Sequence, residues 1–194
     1  MSKMIMYIDG SERQLPKKDT VIQGWGLLAL DKDGDSVELF GTAAKKTSHR
    51  GYHELHAFVA AIEFAEKRGL IPSETTIYTD DELIAYGGFH LVPANYSRSK
   101  KNLIKRLRAF QAVFHPNYKT LVLKMIRWMI GAKLHWIKGH RVCVHNNRAD
   151  YLARCGSKTT HPKDLEPYDR WLKTVLTTPN PYSNNNFIGS SFLK

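Results

Sequence analysis

The chain is poor in the residues that define several large classes of protein. It holds two cysteines, Cys143 and Cys155, in a polar, His-containing stretch, so a disulfide framework is excluded and both are expected as reduced thiols. No apolar run approaches the length of a membrane span, and the first residues lack the pattern of a secretory leader. The expectation is a soluble, cytoplasmic protein that works as a monomer, without a membrane partner. No internal repeats are visible. Acid is missing from one long region: Asp and Glu are absent from the 67 residues between Glu82 and Asp150, and 13 of those residues are Lys or Arg.

The net charge of the whole chain is +11, so that region more than accounts for it and the rest of the 194 residues is slightly acidic. A basic block facing a phosphate backbone releases counterions and gives sequence-independent affinity, so nucleic acid is the expected partner. A solvated basic face is the other reading of the same charges. With 42% apolar and 11% aromatic residues, the chain has enough material for one full core.

Periodicity divides the chain into elements. Residues 4–8 are continuously apolar and run into Asp9-Gly10-Ser11, a turn signal, which predicts a central strand. Residues 24–30 and 37–40, separated by Asp33-Gly34, predict a hairpin. A helical period covers Tyr52 to Arg68 and stops at Gly69. Thr75 to Thr79 predicts a β-branched strand, Asn102 to His115 a basic amphipathic helix, Lys119 to Ile130 an apolar helix, and Lys133 to Ile137 the last strand. Asn147 is the expected cap of a helix ending at Cys155-Gly156. Beyond Ser157, Pro179, Pro181 and Asn184-Asn185-Asn186 mark a stretch with little core-forming material. Trp25, Trp128 and Trp136 fall in apolar periodic segments and are expected in the core.

Four acids stand where acid is a poor choice for stability. Asp9 and Asp80 are expected at strand ends, Glu54 on the sheet side of its helix near Phe58 and Ala61, and Asp150 in the first turn of the last helix. Each has an ordinary explanation: a turn-forming Asp-Gly for Asp9, an acidic helix start for Asp80-Asp81-Glu82, a half-exposed first-turn acid for Glu54, a capping role for Asp150. His140, Cys143, His145 and Cys155 are residue types that bind zinc, but their irregular spacing favours an exposed loop.

Taken together, Tyr7-Ile8-Asp9-Gly10-Ser11, His53-Glu54-Leu55, Tyr78-Thr79-Asp80, and Trp136-Ile137-Lys138-Gly139-His140 followed by Asn146, Arg148, Ala149-Asp150 and Leu152-Ala153 resemble the type I ribonuclease H family. The resemblance spans roughly residues 3 to 157. It implies an α/β fold with a five-stranded mixed sheet, three antiparallel strands followed by two more, flanked by helices. It also implies a catalytic domain over residues 1–157 and a partly irregular extension over 158–194.

The implied activity is hydrolysis of the RNA strand of RNA–DNA hybrids. Asp9, Glu54, Asp80 and Asp150 would hold two magnesium ions, with manganese as a substitute, and His140 would carry protons. Ser11, Ser48, Arg50, Lys100, Lys101, Lys105, Arg106, Lys138 and Asn146 are the residues expected against the hybrid, with residues 98–108 matching a basic protrusion of the family. Three departures bear on strand selectivity. Glu12 to Lys18 replaces a glycine-rich segment, Ser48 to Tyr52 replaces RNA-contacting asparagines, and Asp81-Glu82 replaces a small hydroxyl and a glutamine. A nuclease or recombinase of the same fold acting on DNA, or a non-catalytic nucleic-acid-binding module, are the rival expectations.

Overall fold

A computed structural model describes residues 3–16, 19–87, 97–139 and 143–158, together with Tyr168, Arg170 and Lys173; for residues 87 and 97–101 it describes the backbone alone. The element order is β1 (Met4–Gln14), β2 (Val21–Asp31), β3 (Ser36–Thr47), α1 (His53–Lys67), a short 3₁₀ turn (Pro72–Glu74), β4 (Thr75–Thr79), α2 (Glu82–Gly87), α3 (Ser97–Phe114), α4 (Leu121–Gly131), β5 (Lys133–Trp136) and α5 (Val144–Ser157). The five strands form one mixed sheet in the order β3-β2-β1-β4-β5. β1 pairs antiparallel with β2 and parallel with β4, and β4 pairs parallel with β5. The predicted five-stranded architecture is present.

Antiparallel neighbours need only a tight turn, and the turn between β2 and β3 is made locally. Asp31 accepts the N–H groups of Asp33 and Asp35 at 2.9 Å each, while Gly34 takes a φ of 89° that only glycine adopts without strain. The parallel pairs instead need crossovers, supplied by α1 between β3 and β4 and by α2 to α4 between β4 and β5.

The sheet's two faces are covered differently. Met6, Ile8, Leu27 and Ala29 are buried with Leu55, Phe58 and Ile62 of α1, Leu107 and Phe110 of α3, and Met125 and Trp128 of α4. This cluster is the main core, and its area removed from water is the chief favourable term. The opposite face of β1, β2 and β3 receives α5. Close approach there requires glycine: a Cβ on Gly26 would land on the α5 backbone at Ala149 and Ala153.

Several sequence expectations need correction. Asp9-Gly10 is not a turn, and Asp9 does not end its strand. β1 continues to Gln14 because residues 10–14 stay paired with residues 25–21 of β2, a long-range pairing that overrides the local turn preference of Asp-Gly. α5 starts at Val144 with Cys143 as its cap residue, so Asn147 lies inside the helix and Asp150 lies beyond its first turn. The basic helix begins at Ser97 rather than Asn102, and α2 is an additional element. Trp128 is buried and Trp25 packs against the core, whereas Trp136 is 39% exposed. It sits on an edge strand and donates its indole N–H to the Asp80 carbonyl at 3.0 Å, which satisfies the polar end of the ring. Among the described residues, no helix is long and apolar enough to cross a membrane.

Candidate active site

Three carboxylates meet where β4 stops and β1 runs on. The parallel register places Tyr7 beside Tyr78, so Asp9 and Asp80, each two residues further along, emerge side by side. The sequence reading of two acids at strand ends thus holds for the parallel pair, although not for β1 as a whole. Glu54 enters from the first turn of α1. One carboxylate oxygen from each of Asp9, Glu54 and Asp80 lies within 4.8 Å of the others.

Local structure explains how they come together. Gly10 lets α1 approach, because a Cβ at this position would land on the backbone of His53 and Glu54. Its N–H then donates to Glu54 Oε2 at 3.1 Å. Asp81 serves as the cap of α2, accepting the Ile84 N–H at 2.8 Å, which leaves the capping role to Asp81 and brings Asp80 into the cluster. Gly139 clears the other side: a Cβ there would collide with Asp80 Oδ2.

Asp150 lies on α5, 9% exposed, and its charge acts on Asp9. It is outside the group of three and pairs with Arg154, one helical turn on, at 2.6 Å. His140 lies outside the described residues.

The electrostatics are strained. Asp9 is 4% exposed, and its Oδ2 is buried without a hydrogen-bond partner among the described residues. Burial, then the charges of Glu54, Asp80 and Asp150, hold its proton well above the ordinary carboxylate range. Burial and the charges of Asp80 and Asp81 push Glu54 the same way. Clustered anions in low dielectric retain protons unless a cation neutralises them. Oxygen donors from three separate elements, close-set and incompletely satisfied, fit a hard divalent cation.

A model of the RNase H family matches residues 1–158. The chain belongs to the RNase H family. Among curated relatives, a ribonuclease H of Ruegeria pomeroyi is 30% identical over 171 residues, covering 84% of this chain and 97% of that protein. One from Paracoccus denitrificans is 33% identical over 147 residues, covering 72% and 84%. Among solved structures, LC9-RNase H1, described as a type 1 RNase H with the type 2 active-site motif, superposes with a TM-score of 0.53 at 16% identity, covering 90% of this chain and 82% of that one. That likeness supports the RNase H fold.

The residues expected against nucleic acid differ in how the fold engages them. Ser48, Lys105 and Lys138 are exposed. Lys100 and Lys101 lie in α3 with side chains outside the described set. Arg50 donates to Gln14 Oε1 at 2.8 Å and Asp19 Oδ1 at 3.2 Å, and Arg106 donates to the Gly51 carbonyl, so both are engaged within the chain. Ser11 Oγ meets Ser157 Oγ at 3.2 Å. Asn146 is buried, with neither amide atom hydrogen-bonded among the described residues.

Of the residue types weighed for zinc, Cys155 is buried in α5, and His145 is occupied by Tyr168, whose hydroxyl lies 2.5 Å from Nδ1. Among the described residues, the group gathered for a metal is Asp9, Glu54 and Asp80. Sequence reasoning missed Glu12 and His53 as site neighbours. The signal was present in the two departures at residues 12–18 and 48–52, which turn out to touch: Glu12 accepts the Gly51 N–H at 2.9 Å.

Proposed function

We propose that this chain hydrolyses the RNA strand of RNA–DNA hybrids, with Asp9, Glu54, Asp80 and Asp150 holding divalent cations, magnesium or in its place manganese. The observation that carries the reading is the convergence of three carboxylates from β1, α1 and β4 within 4.8 Å in a family of ribonucleases. The names of its relatives, the basic block and the raised protonation of Asp9 and Glu54 support it. When bound, divalent cations in such a site activate water and stabilise the leaving oxygen of a phosphodiester.

The chain's own part is to fix the acids and keep the charge balance. Gly10 holds Glu54, Trp136 and Gly139 frame Asp80, and α5 brings Asp150 up to Asp9. In their ionised form the acids repel a phosphodiester, so they favour nucleic acid only with cations present. Basic residues on α3 and Lys138 then supply backbone affinity, and His140 carries protons near neutral pH.

The test is cleavage of a matched set of labelled RNA–DNA hybrid, double-stranded RNA and double-stranded DNA, with and without magnesium. Magnesium-dependent loss of the RNA strand of the hybrid alone is expected. Cleavage of duplex DNA, or binding of hybrid without cleavage, would overturn the reading.

A further inference from the structure

Behind Glu54 lies a chain of polar contacts that the carboxylate cluster does not itself require. Glu12, on the part of β1 beyond Asp9, accepts the Gly51 N–H at 2.9 Å and the Gln23 Nε2 at 3.0 Å through the same oxygen, Oε2. That oxygen also stands 3.7 Å from His53 Nδ1. On the far side of the ring, His53 Nε2 stands 3.6 Å from Glu54 Oε1. The other Glu54 oxygen is the one held by Gly10.

The support behind this chain is firm. Gln23 is fully buried and its Nε2 also donates to the His49 carbonyl at 2.8 Å. Arg106 grips the Gly51 carbonyl from α3, with its guanidinium 5.9 Å from the centre of the Tyr52 ring. The helix itself supplies no side-chain cap at Tyr52. The loop entering α1 is therefore fixed from β1, β2 and α3 together. His53 Nδ1 is buried, with no hydrogen bond among the described residues, and the ring stands between the two carboxylates, so turning it changes its separation from both.

We propose that Glu12 and His53 are positioning residues: Glu12 fixes the His53 ring, and the ring fixes the direction in which Glu54 presents its carboxylate to a cation. This rests on the function proposed above. Groups that orient metal-binding carboxylates typically govern affinity for the ion, and their loss costs about 10-fold or more.

The experiment is calorimetric titration of the substrate-free protein with magnesium, beside cleavage measured against magnesium and against hybrid concentration. His53→Ala is expected to raise the half-saturating magnesium by about 10-fold while leaving the KM for hybrid near the wild-type value. His53→Gln, whose amide reaches the place of Nε2, recovers most of the loss. Glu12→Gln keeps the bonds from Gly51 and Gln23 but removes the charge facing His53, and falls between the two. Should His53→Ala melt early, His53→Leu preserves packing volume and carries the same test.

Wild-type magnesium affinity in a folded His53 variant overturns the inference, as does a loss seen in KM alone and not recovered by glutamine. A wild-type protein that neither binds magnesium nor cuts hybrid removes the proposed function, and this inference with it. A wild-type protein that does both, with unchanged variants, removes this inference only.

Discussion

Two groups of buried charge lie beside α5, built on opposite plans. Arg148, 1% exposed, meets Glu38 of β3 through Nε at 2.5 Å and Nη2 at 2.9 Å, one carboxylate oxygen each. Charge is matched by charge, and the planar fork of the guanidinium suits the carboxylate. At Asp9, Glu54 and Asp80, three acids converge instead, one oxygen has no partner among the described residues, and protons are held where carboxylates normally give them up. The first group is complete within the chain. The second leaves its negative charge unbalanced among the described residues, the imbalance that the proposed cation would relieve.

The largest effect that separates the two groups is on catalysis. Asp80→Asn removes one charge while keeping the shape of the side chain. Magnesium-dependent cleavage of labelled hybrid is expected to fall by roughly 1000-fold or more, since several kcal/mol of charge stabilisation goes with the bound cations. The fold is expected to survive, because the change relieves repulsion. Near-wild-type turnover in this variant would remove Asp80 from the site and break the comparison at its acidic end.

The completed pair answers in stability. Arg148→Met strands Glu38 in a half-buried position and is expected to cost about 3–5 kcal/mol, whereas the paired replacement of Glu38→Leu with Arg148→Met is expected to be close to neutral. Denaturant unfolding of both variants measures this. If the double variant is as unstable as the single one, α5 depends on the ion pair itself and not merely on its neutrality.

A smaller effect tests how the acids are brought together. Gly10→Ala places a methyl group against the α1 backbone at His53 and Glu54. An overpacked contact of this kind costs about 1–3 kcal/mol, and a displacement of Glu54 by about 1 Å is enough to lower turnover on the order of 100-fold. Cleavage and thermal melting, measured together, check it. Wild-type turnover here would mean that Glu54 does not depend on the close approach of α1.

The sequence showed more of the strands and acids than of what joins them. Periodicity located α1, the Asp33-Gly34 turn located the hairpin, and a β-branched run located β4, which is buried on both faces. It missed the second half of β1, where Gly10 to Gln14 are held by pairing with β2 rather than by an apolar pattern. It misplaced the start of α5, since Asn147 looks like a cap and only the packed helix shows Cys143 in that place. All four acids stood out as individually ordinary. Only matched motifs linked them, and the link that local chemistry hides is Gly10, a turn signal in sequence but a clearance for α1 in space. Arg50 and Arg106 were expected against the hybrid, and their contacts within the chain stayed hidden because Gln14, Asp19 and the Gly51 carbonyl are far away in sequence.

The smallest predicted effect sharpens the comparison most directly, because it reads the unbalanced charge without any substrate. Asp9 and Glu54 hold protons more tightly in the folded chain than an unfolded chain does. Above the ordinary carboxylate range near pH 4, the folded state therefore binds the greater number of protons. The contribution of these two acids to stability without metal falls as pH rises through neutrality, and it stops changing below about pH 4. Buried His56, whose proton affinity is pushed down to about 3, acts in the opposite sense, favouring the fold above the usual imidazole range and weakening it below. Its contribution is common to every arm of the measurement and cancels in the differences. Melting curves in a chelator at several pH values should show the fall, and excess magnesium should flatten it by keeping the acids ionised at no cost. Asp9→Asn should make it shallower without magnesium, leaving the part owed to Glu54, and should stabilise the metal-free protein near neutral pH. Equal slopes in chelator, in magnesium and in Asp9→Asn would mean that the two groups of charge beside α5 are equally well compensated, and the acids would then have no need of a cation.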